Sequence, residues 1–214
     1  MLAEIELCDD CQASRIAVVG VGVRALGERA MELERRGCPP RPARTPFVEP
    51  ASWPGDRRSP DVALASWSGV PWSVLVAGEI DAGKTVLATE LFWRQLPTAR
   101  RAVWETAAGA VRSLLGNGGE SREEAWSRLA NADVLLLDDL GRGHEGAMTW
   151  ELLADLLSHR YDRELRTIVT TNRPVAKQAT DKRLGLQDEH PALGRRLREG
   201  LVVGWLPRWE GKRR

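Results

Sequence analysis

The sequence predicts an α/β fold with a mostly parallel sheet, and three features carry that prediction. From residue 61 onward, apolar strand-like runs alternate with amphipathic helix-like runs, the pattern of helices laid on a parallel sheet. One strand runs straight into a glycine-containing turn and then a helix, in "SVLVAGEIDAGKTVLATELF". Another, "DVLLLDD", is a continuous apolar run ended by acids, as expected of a buried parallel strand.

Taken in order, residues 1–38 form an N-terminal extension. Within it, "RIAVVGVGVRA" (15–25) holds Gly20-x-Gly22-x-x-Ala25 and so mimics a dinucleotide fingerprint. That motif needs a βαβ unit with an acid on its second strand, and here the chain runs into "CPPRP" instead. A helical register fits better, with Ile16, Val19, Val23, Leu26 and Ala30 on one face that can pack on the rest of the chain or dock a partner helix. Residues 39–60 hold seven of the twelve prolines and are expected to be an extended linker or surface-hugging segment, neither helix nor central strand. The domain proper is expected over 61–214.

There, "SVLVAG" (73–78) is a strand and "KTVLATELFWRQL" (84–96) a helix, with Val86, Leu87, Leu91 and Phe92 at helical spacing. "RAVWE" (101–105) is a second strand, and "SREEAWSRLANA" (121–132) a helix opened by a Ser-x-x-Glu capping box. "DVLLLDD" (133–139), the helix "AMTWELLADLLSHRYDREL" (147–165) and the strand "RTIVTTN" (166–172) follow. "PALGRRLREG" (191–200) is a helix started by Pro191 and stopped by Gly200. Its Leu193 and Leu197 share one face, which turns Arg195, Arg196 and Arg198 outward.

Composition bounds the function. The 214 residues are 43% hydrophobic and 29% charged, the balance of a soluble globular protein. No apolar run reaches membrane-spanning length and the N-terminus is acidic, so the expectation is a cytoplasmic protein with no signal peptide or membrane anchor. A net charge of +1 means that any nucleic-acid surface must be local. The nine tryptophans are scattered and read as packing residues. Cys8-x-x-Cys11 is half of a zinc site, but structural zinc takes four ligands, only Cys38 remains, and no histidine precedes His144. Plain thiols are the better reading.

The chemistry sits in two motifs. Gly78-x4-Gly83-Lys84-Thr85, between a strand and a helix, has the spacing of a phosphate-binding loop. Its backbone N–H groups and the helix N-terminus would cradle phosphate oxygens, with Lys84 reaching the β- and γ-phosphates of ATP and Thr85 holding Mg²⁺. The loop also carries Glu79 and Asp81, two acids where a polyanion binds. Both can point to solvent, and Asp81 stands where positive φ is useful and Asp is tolerated. The second motif is "VLLLDDLG" (134–141), in which Asp138 is expected to hold the Mg²⁺ shell and Asp139 to orient or activate water. Asn172, at the end of "TIVTTN", could position water near the γ-phosphate or serve as a turn residue before Arg173-Pro174.

In this order, "GEIDAGKT", "LLLDDLG", "HRYDRELRTIVTTN" and "LGRRLREG" resemble the AAA+ ATPases of the DnaC-type replicative helicase loaders and the related IstB-type helpers of transposition. The double aspartate before Leu-Gly, and Arg160-Tyr161 ahead of the "TTN" strand, are more specific than the loop. The resemblance covers about residues 34–214 and departs at Asp81 and Ala82, where the family carries small residues. It implies a P-loop NTPase of the ASCE-type AAA+ class without a C-terminal helical lid. It puts Lys84 and Thr85 on Walker A, Asp138 and Asp139 on Walker B, Asn172 on sensor 1 and Arg196 on a trans-acting arginine finger. Arg213 is similar in placement to a late family arginine.

Three functions follow. The first is an ATPase that loads or remodels the replicative helicase on single-stranded DNA as a homo-oligomer, for a phage or mobile element. The second is a transposition helper on duplex DNA with a transposase partner, and the third a nucleotide-gated adaptor with negligible turnover. The cysteine-bearing N-terminus and Pro-marked linker favour the loader over the helper, and intact Lys84, Asp138 and Asp139 count against the adaptor.

Overall fold

The computed structural model describes residues 23–45, 73–141, 146–174, 185–199 and 201–206. Cys8, Cys11, the run 15–22, residues 46–60 and Arg213 lie outside them. Two helices, α1 (Val23–Arg35) and α2 (Pro40–Arg44), precede strand β1 (Ser73–Gly78). Helix α3 (Lys84–Gln95), strand β2 (Ala102–Thr106) and helices α4 (Ala107–Leu114) and α5 (Arg122–Ala130) come next. Strand β3 (Val134–Leu140), helix α6 (Ala147–Asp162) and strand β4 (Arg166–Thr171) follow. The short α7 (Leu186–Glu189), α8 (Pro191–Glu199) and strand β5 (Leu201–Leu206) complete the described chain.

The five strands form one parallel sheet in the order β2-β3-β4-β1-β5. Alternation along each strand sorts the apolar side chains into two cores. Val74 and Val76, Val134 and Leu136, Ile168, Ala102 and Trp104 face α3 and meet its Leu87, Ala88, Leu91 and Phe92. Leu75, Leu135, Leu137 and Val169 face the other side and meet α4, α5, α6 and α8, including Leu193 and Leu197. The continuous apolar runs of the sequence are thus explained, because both faces of β1, β3 and β4 are covered. Trp104 and Trp150 are buried and Trp93 and Trp126 partly so, as packing residues should be.

Local signals act where expected. Ser121 and Glu124 form the reciprocal capping box of α5. The run 39–60 is not wholly extended, because Pro40–Arg44 makes one helical turn. Proline at the first helical position costs nothing there, since its missing N–H would have had no intrahelical partner. Helix α4 carries Gly109, which weakens a helix pattern, but Thr106 caps it by accepting from the Gly109 N–H at 2.9 Å.

The N-terminal residues join the α3-side core through Leu33, Cys38 and Ala43. Arg29, 6% exposed, ties them down. Its guanidinium donates to the Ala43 and Thr45 carbonyls and to Glu90 on α3, the last at 3.0 Å, and lies over Trp93. The Trp104 N–H, on the outer edge of β2, donates to the Arg36 carbonyl at 2.8 Å. Gly37 is required beside it, with φ of 97° and space for a Cβ only 2.4 Å from the Trp104 oxygen. Burial pushes the Cys38 thiol up to about 11, so it stays protonated and apolar in this core. No helix among the described residues is long and apolar enough to cross a membrane.

Candidate nucleotide-binding site

Parallel strands place their C-terminal ends together, and here Gly78 ends β1 while Asp138 and Asp139 lie near the end of β3. The turn from β1 into α3 takes two left-handed residues, Asp81 at φ 64° and Gly83 at φ 78°. Asp81 therefore adopts the positive φ expected of it, and both Asp81 and Glu79 are exposed. Gly83 is the residue before α3, so the N–H groups of residues 84–86 open the helix, where none has an intrahelical carbonyl to bond. Such a helix start favours an anion. Lys84, 8% exposed, folds its ammonium back on the loop and donates to the Glu79 carbonyl at 2.5 Å.

Strand parity sends Asp138 to the same face as Val134 and Leu136, the α3 side. There Thr85 on the first turn of α3 donates to the Asp138 carboxylate, 3.0 Å to Oδ1 and 3.2 Å to Oδ2. Asp138 is 7% exposed, and burial holds its carboxyl above the usual range. Hydrogen bonds from Thr170 and Thr85 and the charge of Lys84 act the other way, while Asp139 adds to the upward push. The β3–β4 ladder is in register to Leu137↔Val169 and resumes at Leu140↔Thr171, so one extra residue is inserted on β3. Asp139 is in that bulge with φ of 64°.

The turn after β3 is closed by the chain following β4. Gly141 has φ of 87°, and a Cβ there would lie 2.6 Å from the Arg173 Cδ. Arg173 sits over Trp150, whose other partner is the stacked ring of His190, 4.1 Å between centroids. Asn172 directly follows β4, between Thr171 and Arg173. The structure thus gathers Gly78, Gly83, Lys84, Thr85, Asp138 and Asp139 at one end of the sheet, with Asn172 at the end of the strand between β1 and β3.

Arg196 is elsewhere. Its guanidinium donates to Ser158 and lies over the Tyr161 ring at 5.6 Å, on the last turns of α6. That is toward the end of the sheet where strands begin, away from this chain's own loop. Arg195, its exposed neighbour, meets Glu199 at 3.9 Å. Arg160, singled out by its place in the sequence, is fully buried and donates to the Leu129, Ala130, Ala132 and Arg166 carbonyls and to Thr167. It ties the C-terminus of α5 to the start of β4 and is remote from the phosphate loop. Thr170 is the residue sequence reasoning missed. It bonds Asp138 and Asp139 at once, and its only signal was being a polar residue in a buried strand.

No protein-family model matches the chain, and no curated protein matches it in sequence. Solved structures do match. A replication initiator, DnaA bound to AMPPCP and single-stranded DNA, is 19% identical with a TM-score of 0.54, over 71% of this chain and 47% of its own. The DnaC helicase loader is 18% identical with a TM-score of 0.50, over 69% of this chain and 86% of its own. DnaI is 18% identical with a TM-score of 0.50, over 71% and 80%. The chain spans less than half the length of the initiator chains it matches first. Likeness at this identity is likeness of fold: the chain shares with these initiator and loader structures a parallel sheet flanked by helices.

Proposed function

We propose that the protein is an ATP-hydrolysing AAA+ switch that loads or remodels the replicative DNA helicase on single-stranded DNA. The observation that carries the reading is the Thr85–Asp138 pair beside the glycine loop, in a fold that spans 86% of the DnaC helicase loader and 80% of DnaI. The initiator of the same fold carries AMPPCP and single-stranded DNA, which supports an ATP-type ligand and a DNA partner.

The donor set fits Mg²⁺, because the Thr85 hydroxyl and the Asp138 carboxylate are hard oxygen ligands held in contact with each other. Thr85 and Asp138 would hold Mg²⁺, which would supply positive charge against the charge that develops on the phosphates. Lys84 exchanges its loop carbonyl for the β- and γ-phosphates, and the first-turn N–H groups of α3 bind the rest of the chain of phosphates. Asp139 and Asn172 hold the attacking water, and Asp139 takes its proton as ADP and phosphate form. Arg196, on α8, serves a neighbouring subunit's phosphate rather than its own and gives up its contacts with Ser158 and Tyr161 to do so.

The reading is tested by affinity capture from the native host with ATP present, scored for replicative helicase and for transposase. Capture of the helicase, with single strands bound better than duplex, is the expected result. Capture of a transposase with duplex preferred would replace the loader with the transposition helper.

A further inference from the structure

Thr170 is 1% exposed and lies in β4 on the face that looks toward α3. Its hydroxyl donates to Asp138 Oδ1 at 2.6 Å and accepts from the Asp139 N–H at 2.8 Å. Both bonds follow from the bulge. Between the paired rungs Leu137↔Val169 and Leu140↔Thr171, one β4 residue faces two β3 residues, and the ladder has no carbonyl for the Asp139 N–H. A buried N–H left unmet costs about 1–3 kcal/mol, and the Thr170 oxygen meets it. One rung further on, Thr171 donates to the Leu140 carbonyl at 2.8 Å and closes the bulge.

From this geometry we infer that Thr170 is a positioning residue of the nucleotide site, one hydroxyl that orients the Asp138 carboxylate toward Thr85 and fixes the left-handed turn that presents Asp139. The inference rests on the nucleotide reading of the site. Asp138 Oδ1 receives hydrogens from Thr170 on one side and Thr85 on the other, so the carboxylate cannot rotate without losing one of them. A side chain that lacks either the donor or the acceptor loses one of the two functions. Serine keeps both, and valine, of nearly the same shape, has neither.

The test is calorimetric titration of ATP into wild type, T170V and T170S, each in EDTA and in Mg²⁺. In EDTA the loop and Lys84 carry binding, so all three should agree within about twofold. With Mg²⁺, the gain in affinity should shrink in T170V by roughly 10–100-fold, the usual effect of removing a partner that orients a metal ligand. T170S should recover most of it. If T170V does not stay folded, T170A, which also has neither donor nor acceptor, is read the same way. A Mg²⁺ gain in T170V or T170A equal to that of wild type overturns the role of Thr170 alone. Equal losses with and without Mg²⁺ also overturn it, since they report general damage. Wild type showing no Mg²⁺-dependent ATP binding overturns the nucleotide reading with it.

Discussion

Replacing Arg160 by methionine should weaken the fold without touching nucleotide binding. The guanidinium makes three short bonds to buried carbonyls, 2.9 Å to Leu129, 2.8 Å to Ala132 and 2.6 Å to Arg166, besides 2.8 Å to Thr167 and 3.3 Å to Ala130. Leaving three such acceptors unmet costs about 3–5 kcal/mol at the lower part of the range for each. Methionine returns about 1–2 kcal/mol, by burying an apolar chain and by removing a charge whose desolvation is costly. The net loss is about 1–4 kcal/mol, a large share of the 5–15 kcal/mol typical of a domain. Burial lowers the Arg160 pKa to about 9, so the cation persists at neutral pH, and lysine is the informative partner variant. A single ammonium reaches three acceptors at most and has no planar fork, so R160K should lose about half as much as R160M. Urea unfolding followed by circular dichroism measures both, with an unchanged m-value as the control. An R160M midpoint equal to that of wild type would refute the reasoning. So would an intact midpoint accompanied by lost ATP affinity, which would put Arg160 at the site.

Three other outcomes bear on the site itself. K84A should abolish ATP binding by calorimetry, since on the proposed reading the ammonium folded onto the loop is the cation that meets the phosphates; equal affinity would remove the loop from the reading. D81G should leave affinity equal or tighter, because it removes an exposed carboxylate and a left-handed non-glycine residue worth roughly 1–2 kcal/mol of strain. Its stability should change little, as glycine gives back about 0.5–1 kcal/mol in chain entropy. R196A mixed with K84A should regain partial ATPase activity that neither has alone; no recovery in co-assembled mixtures would make Arg196 a clasp for Ser158 and Tyr161 only.

The parts of this protein that could be read from sequence are those set by local pattern. The strand–loop–helix around Gly83, the capping box at Ser121 and the buried run ending in Asp138 each depend on neighbours within a few residues. What was hidden depends on register. Thr170 matters because one residue is inserted opposite it on β3, and nothing in "LLLDDLG" announces a bulge. Asn172 is legible because it stands at the strand end, which Thr170, two residues back, does not. Arg160 was legible as a signature but not as a brace, since its acceptors are carbonyls, which every residue has. Strand β5 escaped notice because six residues containing Gly204 carry too little pattern to distinguish an edge strand from a loop.

The strand order has a consequence for synthesis. Of the described strands β1 leaves the ribosome first, yet both its sheet neighbours come later, with Ser73 pairing to Thr167 and Val74 to Leu201. The nascent chain must therefore carry an apolar strand with two bare edges while about half the protein is still being made. Asp138 is translated before β4, the strand that separates it from β1 and supplies Thr170, so a chain released early holds the glycine loop but no assembled partner for it. Truncated products of this protein would be sticky rather than merely inactive, and they would be targets for chaperones or proteolysis before they could sequester nucleotide.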